Sequence, residues 1–499
     1  MAERFDVLVV GSGPAGATYA RTIGDALPNA RILMVEVGPA VPGRRGEHTQ
    51  NMTDADRTAA QLLTQGPDTG VTRAAALADI APGIDPSLEF RQTILPGLFF
   101  LDPRPQLGKG EVGLPAASMA SGVGGMGIHW GTSCPRPHQS ERIPYLPAAE
   151  LDAALDHAEA LLGVSALEEA SGLLGAVHKA MADEFDGPGH VPVGFLPSAT
   201  HWEGDRLVFS GTGVLLRDLE RTAPGFELRA ETLARRVLVE HGTAVGAELV
   251  DRRTAAVYTV RADRVVVCAD GLRTPQVLFA SGIRPPALGH HLNEHFQMAS
   301  FVHLSDEFDP ARWPAEEQRL GSVLVPFSDD RPMQGGVIPL AGSPYKLPSM
   351  GELDSSMLAV QAWYAAKDIQ FSDAVEFSET ETDFYGMPRM RIRYSRTAPD
   401  LATITAMHEN SVRMATRIGT LTEEPALAAG GSSLHYQGTV RMGATEDGAS
   451  VCDPYLRVWG IDNLYVGGNG VIPTATAANP TLTTVALAWR AARELAATL

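Results

Sequence analysis

The first residues that could do chemistry lie near the amino terminus: Gly11-Ser12-Gly13-Pro14-Ala15-Gly16, directly after the apolar run 5–10. Each glycine has its own physical reason. Gly11 permits a tight turn, Gly13 lets the backbone approach a pyrophosphate, and Gly16 lets a helix lie close to the preceding strand. The helix that follows offers free N–H groups and a positive dipole end to phosphates. Glu36 stands twenty residues after Gly16, at the end of a second strand. An acid there takes the hydroxyls of an adenosine ribose and disfavours a 2′-phosphate. The motif in this context predicts a dinucleotide site and leaves NAD and FAD both open.

The elements that must position this loop are legible as patterns. Residues 5–10, 17–23 and 31–36 read as strand, helix and strand, the first apolar enough to be buried on both faces. Residues 41–110 are rich in Gly, Pro, Asp and Thr and read as an insertion, a lid or an oligomer arm. Residues 151–162 read as a helix with Leu151, Leu155, Ala158 and Leu162 on one face. Strands are expected at 234–239, 244–250 and 264–269, and a separate, largely antiparallel sheet between 297 and 395. Residues 400–418 read as a helix with Pro399 as its boundary. The strand–loop–helix pattern returns from Leu464 onward.

Composition bounds the class. The 499 residues suggest two or three lobes, and the 50 glycines and 35 prolines suit an enzyme with many turns and long loops. A net charge of −19 argues against nucleic acid, whose affinity rests on Lys and Arg, and against an anionic membrane surface. No apolar run reaches the roughly 18–20 residues of a membrane helix, and no secretory signal is visible. Cys134, Cys268 and Cys452 are far apart and lack CxxC spacing, so neither a disulfide framework nor a metal site is expected. A reducing, cytoplasmic setting is expected.

Beyond the fingerprint, segments 122–130, 269–282, 288–295 and 453–499 resemble the glucose–methanol–choline (GMC) oxidoreductase superfamily. Two motifs are most similar to its pyranose oxidase branch, which includes bacterial enzymes that oxidise glycosides at ring carbon 3. One is Gly124-Gly125-Met126-Gly127-Ile128-His129-Trp130. The other is Gly467-Gly468-Asn469-Gly470-Val471-Ile472-Pro473-Thr474, continuing to Asn479-Pro480-Thr481-Leu482-Thr483. The resemblance implies an α/β fold: a Rossmann-like, glutathione-reductase-type FAD domain with a second α+β substrate domain built on an antiparallel sheet. The FAD domain is expected from residues 1–40, 111–145, 226–296 and 440–499, and the substrate domain from 146–225 and 297–439.

The resemblance also assigns roles. His435 and Asn479 match the family's pair over the flavin. A neutral imidazole can take the hydroxyl proton of an alcohol while its carbon hydrogen leaves as hydride to flavin N5. Asn479 can hold the same oxygen, and with Pro480 it also reads as an ordinary helix start. That helix would point its positive end at the flavin. Gly124, Gly125, Met126, His129 and Trp130 are expected against the ring, Val237 against the adenine, and Gly468, Asn469 and Thr481 at the second cofactor contact. His129 matches the histidine that carries a covalent flavin bond in fungal members, but Ile128 replaces their threonine, and non-covalent FAD is the expectation. His291-Leu292-Asn293-Glu294-His295 resembles the family's Asn-Leu-x-Asp-His stretch, departs from it at His291 and Glu294, and is expected to be structural.

For substrate, Trp363, Tyr364, Phe384 and Tyr385 offer aromatic surface, and Gln361 and Arg393 offer hydroxyl binders. The resemblance implies oxidation of a ring hydroxyl, at carbon 3 or carbon 2, of a pyranose or glycoside, with O₂ or a quinone as acceptor. A redox-neutral lyase of the same fold and a flavin redox sensor are the competing readings.

Overall fold

The computed structural model describes residues 2–64, 98–100, 112–114, 116–314, 317, 320–341, 355–383 and 385–499. Strand β1 (Glu3–Val10), helix α1 (Pro14–Ala26) and strand β2 (Ile32–Val35) form the first unit. The last four residues of β1 are buried because it is central: β2 pairs with it on one side and Val257–Val267 on the other, both parallel.

The seven-stranded sheet runs Phe226–Arg229, β2, β1, Val257–Val267, Thr243–Asp251, Thr232–Glu240, and Leu464–Val466 also pairs with Val257–Val267. Register places Val10, Val35, Val267 and Val466 in one row at the carboxyl end of four parallel strands. Ligands bind outside that edge in open parallel sheets. The antiparallel hairpin Thr232–Asp251 extends the sheet on the other side of Val257–Val267.

A second seven-stranded sheet is antiparallel throughout, in the order Gly419–Leu421, Phe296–Leu304, Leu358–Ala365, Met333–Pro339, Val323–Val325, Gly194–Phe195, with Ala426–Leu427 also on Phe296–Leu304. Helices Ala398–Ile418 and Gly172–Phe185 cover one face, and their buried side chains share a core with Met298, Val302, Val337 and Trp363. The face beneath this sheet is left to the site. A separate two-stranded ribbon joins Ala374–Thr382 to Pro388–Arg393.

Two expectations differ from the structure. Helix Ala148–Leu162 was assigned with 146–225 to the substrate domain, but its apolar face packs into the core of the first sheet, alongside helix Thr481–Thr498. Pro399 lies inside the first turn of Ala398–Ile418 rather than before it. Proline is tolerated there because that N–H has no helical partner, and Thr397 with Asp400 closes a capping box around it. Of residues 41–110, Thr49–Asn51 forms a 3-10 turn, Asp54–Thr64 a helix, and Leu98–Phe100 a strand paired with Ser118–Ala120. The reading of that stretch as a lid or oligomer arm falls otherwise outside the described residues, as does Phe384. Among the described residues no helix is long and apolar enough to cross a membrane. The three cysteines are free and buried.

Candidate active site

A cavity starts at the carboxyl edge of the parallel sheet and ends under the antiparallel one. At one end it is lined by Gly11, Gly13, Pro14, Ala15, Glu36, Gly125, Met126, Gly127, His129, Trp130, Gly468 and Asn469, and at the other by Gln297, Tyr364, His435 and Asn479.

The glycine loop turns at Gly11 with φ +97°, and a Cβ there would stand 2.3 Å from the Cys268 carbonyl oxygen. Only glycine fits. A Cβ on Gly468 would meet nothing within 4 Å, so its backbone opens onto the cavity. Gly16 packs inside, against the Gly11 carbonyl. Gly124 also faces inward, its N–H donating to Ser12 Oγ at 3.0 Å. Glu36 is buried and accepts from the Ser12 N–H (3.1 Å), the Ser12 hydroxyl (2.7 Å) and the Gly38 N–H (3.0 Å). Burial raises its pKa against those donors. Asn469 Oδ1 accepts from Thr484 Oγ1 at 2.6 Å, tying the second loop to helix Thr481–Thr498, whose first turn reaches the cavity through Thr481 and Thr484.

This lining fits FAD. The open backbone at Gly13 and Gly468, the helix N-termini and the Glu36 carboxylate suit a pyrophosphate-linked adenosine. Two buried groups on the wall lack partners: His129 Nδ1, and Nε with one terminal nitrogen of Arg273. Burial holds His129 down at about 3, so its imidazole is neutral. Val237 is not on the wall. Its N–H donates to Ser281 Oγ at 2.8 Å and its side chain is buried. Thr232, Leu233 and Ala234, at the start of the same strand, line the cavity instead. Pro480 also lies off it, between Asn479 and Thr481.

At the far end, the stretch expected to be structural holds the chemistry in place. Asn293 and Gln437 exchange backbone hydrogen bonds of 2.9 and 2.7 Å, so residues 291–295 run beside the loop that carries His435. Glu294 accepts from the Gly431 N–H (2.5 Å) and Ser433 Oγ (2.7 Å), clamping that loop. Hydrogen bonds to a charged group contribute about 1.5–3 kcal/mol each; burial nonetheless pushes the Glu294 carboxyl up to about 7.

His295 Nε2 stands 2.7 Å from His435 Nδ1, and His295 Nδ1 stands 3.2 Å from the Thr476 carbonyl oxygen. That carbonyl can only accept, so His295 carries its proton on Nδ1 and its Nε2 accepts from His435 Nδ1–H. The chain of donors leaves the lone pair of His435 on Nε2. Burial, then His295, lowers the His435 pKa well below the ordinary imidazole value, and burial lowers His295 to about 4. His435 is therefore a neutral base at neutral pH.

Asn479 does not cap the helix. The helix starts at Thr481 with Pro480 as its N-cap residue, and Asn479 Oδ1 accepts from Gln334 Nε2 at 3.0 Å. The Asn479 amide nitrogen is thereby left to the cavity. Behind it, the Glu141 carboxylate accepts from the Ala477 and Ala478 N–H groups at 2.8 and 2.9 Å.

Cross-strand register decides which residues of the antiparallel sheet see the cavity. Gln297, Tyr364 and Gln334 form one row, and Gln297 and Tyr364 line the wall. Met298, Trp363 and Gly335 form the next row and face the helices, because side chains alternate along a strand. The expected substrate contacts are corrected accordingly. Trp363 is fully buried against Phe185, and Gln361 donates to Ser300 Oγ and to the Ser411 carbonyl of the covering helix. Arg393 sits on the two-stranded ribbon, 3.3 Å from Glu376. Of Gln361, Trp363, Tyr364 and Arg393, Tyr364 is the one that lines the cavity, and Tyr385 lines it too, beside Ser121. His295, Glu294, Gln297 and Gln334 were missed. The Asn-Leu-x-Asp-His likeness was the signal for the first two, and strand parity next to Tyr364 for the others.

The GMC oxidoreductase family models match residues 121–297 and 374–488. A C-glycoside 3-oxidase of Microbacterium trichothecenolyticum is 45% identical over 98% of this chain and 96% of its own length. A pyranose 2-oxidase of Tricholoma matsutake is 30% identical over 98% of this chain and 93% of its own. The solved formate oxidase of Aspergillus oryzae RIB40 superposes with a TM-score of 0.68 at 13% identity, covering 100% of this chain and 99% of that one. A dinucleotide cavity ending at a neutral histidine, together with full-length likeness at this level, settles the class: the chain belongs to the GMC oxidoreductase family and is an FAD-dependent oxidoreductase.

Proposed function

We propose that the protein oxidises a secondary ring hydroxyl, at carbon 3 in preference to carbon 2, of a pyranose glycoside to the keto sugar, with C-glycosides in its range. The observation that carries the reading is the His295–His435 pair, which leaves a neutral Nε2 base on the wall of the cofactor cavity that Asn479 also lines. His435 takes the hydroxyl proton on Nε2, and the positive charge so formed is shared through Nδ1–H with His295 Nε2 and the Thr476 carbonyl. The Asn479 amide hydrogen-bonds the substrate oxygen and holds the carbon hydrogen aimed for transfer. FAD supplies the hydride acceptor when bound, and O₂ or a quinone takes the electrons onward. Gln297 and the Tyr364 ring supply polar and aromatic surface for the sugar. The activities named for the relatives favour this oxidation over a lyase or a sensor. The buried thiols suit a cytoplasmic setting.

Anaerobic addition of a C-glycoside or of glucose to the purified yellow protein is expected to bleach its flavin absorption, the glycoside faster. A band that neither sugar moves overturns the reading.

A further inference from the structure

Arg273 opens helix Arg273–Ala280 at the adenosine end of the cavity. It is 8% exposed, yet its Nε and one terminal nitrogen have no partner. Its remaining guanidinium nitrogen donates to Ser121 Oγ at 3.2 Å, a hydroxyl that also accepts from Tyr385 at 2.9 Å. The guanidinium carbon lies 4.6 Å from the centroid of the Tyr385 ring. The side chain is thus fixed in direction by two contacts while its unused donors remain.

Its charge is equally unusual. Among the described residues lining the cavity Arg273 is the one Lys or Arg, and it shares that wall with the buried carboxylate of Glu36 and the partly buried one of Asp270, both of which feel its charge. No carboxylate oxygen of the described residues forms an ion pair with it. A buried guanidinium left with spare donors and no ion pair is costly unless a ligand completes it. FAD brings a doubly charged pyrophosphate into a protein of net charge −19. We propose that Arg273 is the cationic anchor for the adenosine-diphosphate half of FAD, completed by the cofactor and backed by Tyr385 and Ser121.

The proposal rests on the FAD reading, and the test separates the two. Wild-type apoprotein is titrated calorimetrically with FAD and with ADP; failure of both to bind would sink the FAD reading itself. For Arg273→Gln, affinity for FAD and for ADP is expected to fall together by at least about 10-fold, since a charge-assisted bond is lost from the same half of each ligand. Arg273→Lys keeps the charge and is expected to retain more of the affinity than Arg273→Gln for both ligands. Thermal melting supplies a readout that a merely structural arginine would not move: the rise in midpoint that FAD produces over the same variant's apoprotein shrinks in Arg273→Gln. An apoprotein melting point that drops, with FAD and ADP affinity as in wild type, overturns the proposal.

Discussion

Replacing His435 by alanine is expected to lower kcat for glycoside oxidation by about 10²–10⁴-fold, the contribution of a positioned general base. That corresponds to about 3–5 kcal/mol of transition-state stabilisation. FAD affinity should stay within about twofold, because the loop from Gly431 is held through Glu294 and Ser433 and not through the imidazole. The wild-type pH profile supplies the second half of the test. A base works when unprotonated, and the folded pKa of His435 is depressed by burial and by His295. Activity should therefore persist as pH falls past 6.5 and decline only nearer the lowered value. A kcat/KM limb at or above 6.5 would mean that His435 is solvated and is not the group described.

Replacing His295 by leucine is expected to lower kcat by about 10–100-fold with little change in KM. His295 touches no substrate. It acts by accepting from His435 Nδ1–H, and so fixes both the tautomer and the ring orientation. Leucine leaves that N–H buried without an acceptor, which costs about 1–3 kcal/mol and frees the imidazole to turn its proton toward the cavity. Glutamine can accept through Oε1 and should restore part of the rate. Steady-state kinetics on both variants check this; equal losses in the two would reduce His295 to a packing residue.

Several parts of this arrangement were readable from residues alone, for identifiable reasons. The Gly11–Gly16 turn and Glu36 are local: two strands, a turn and a helix specify them within residues 3–36. The family likeness added His435, Asn479 and the Gly468 loop, which no periodicity could have joined, since Val267 and Val466 meet only in the folded sheet. Trp363 and Tyr364 show where pattern reading was incomplete. Adjacent strand residues face opposite ways, so both could not line one cavity, but parity alone does not say which face the helices cover. That is decided by Ala398–Ile418, and the glycine at 335 is what admits the Trp363 indole. His295 was hidden for a different reason. Its role lies in a tautomer set by the Thr476 carbonyl, a residue 181 positions away. Val237 was misplaced along the right strand, because the strand enters the cavity at Thr232–Ala234 and then leaves it.

The most direct test of the central claim is anaerobic single-turnover reduction of the bound flavin by a glycoside deuterated at one ring carbon. If His435 removes the hydroxyl proton while hydride leaves carbon 3, deuterium at carbon 3 slows bleaching by a primary isotope effect and deuterium at carbon 2 does not. Bleaching that is indifferent to deuterium at either carbon, or flavin that stays oxidised, would contradict the account.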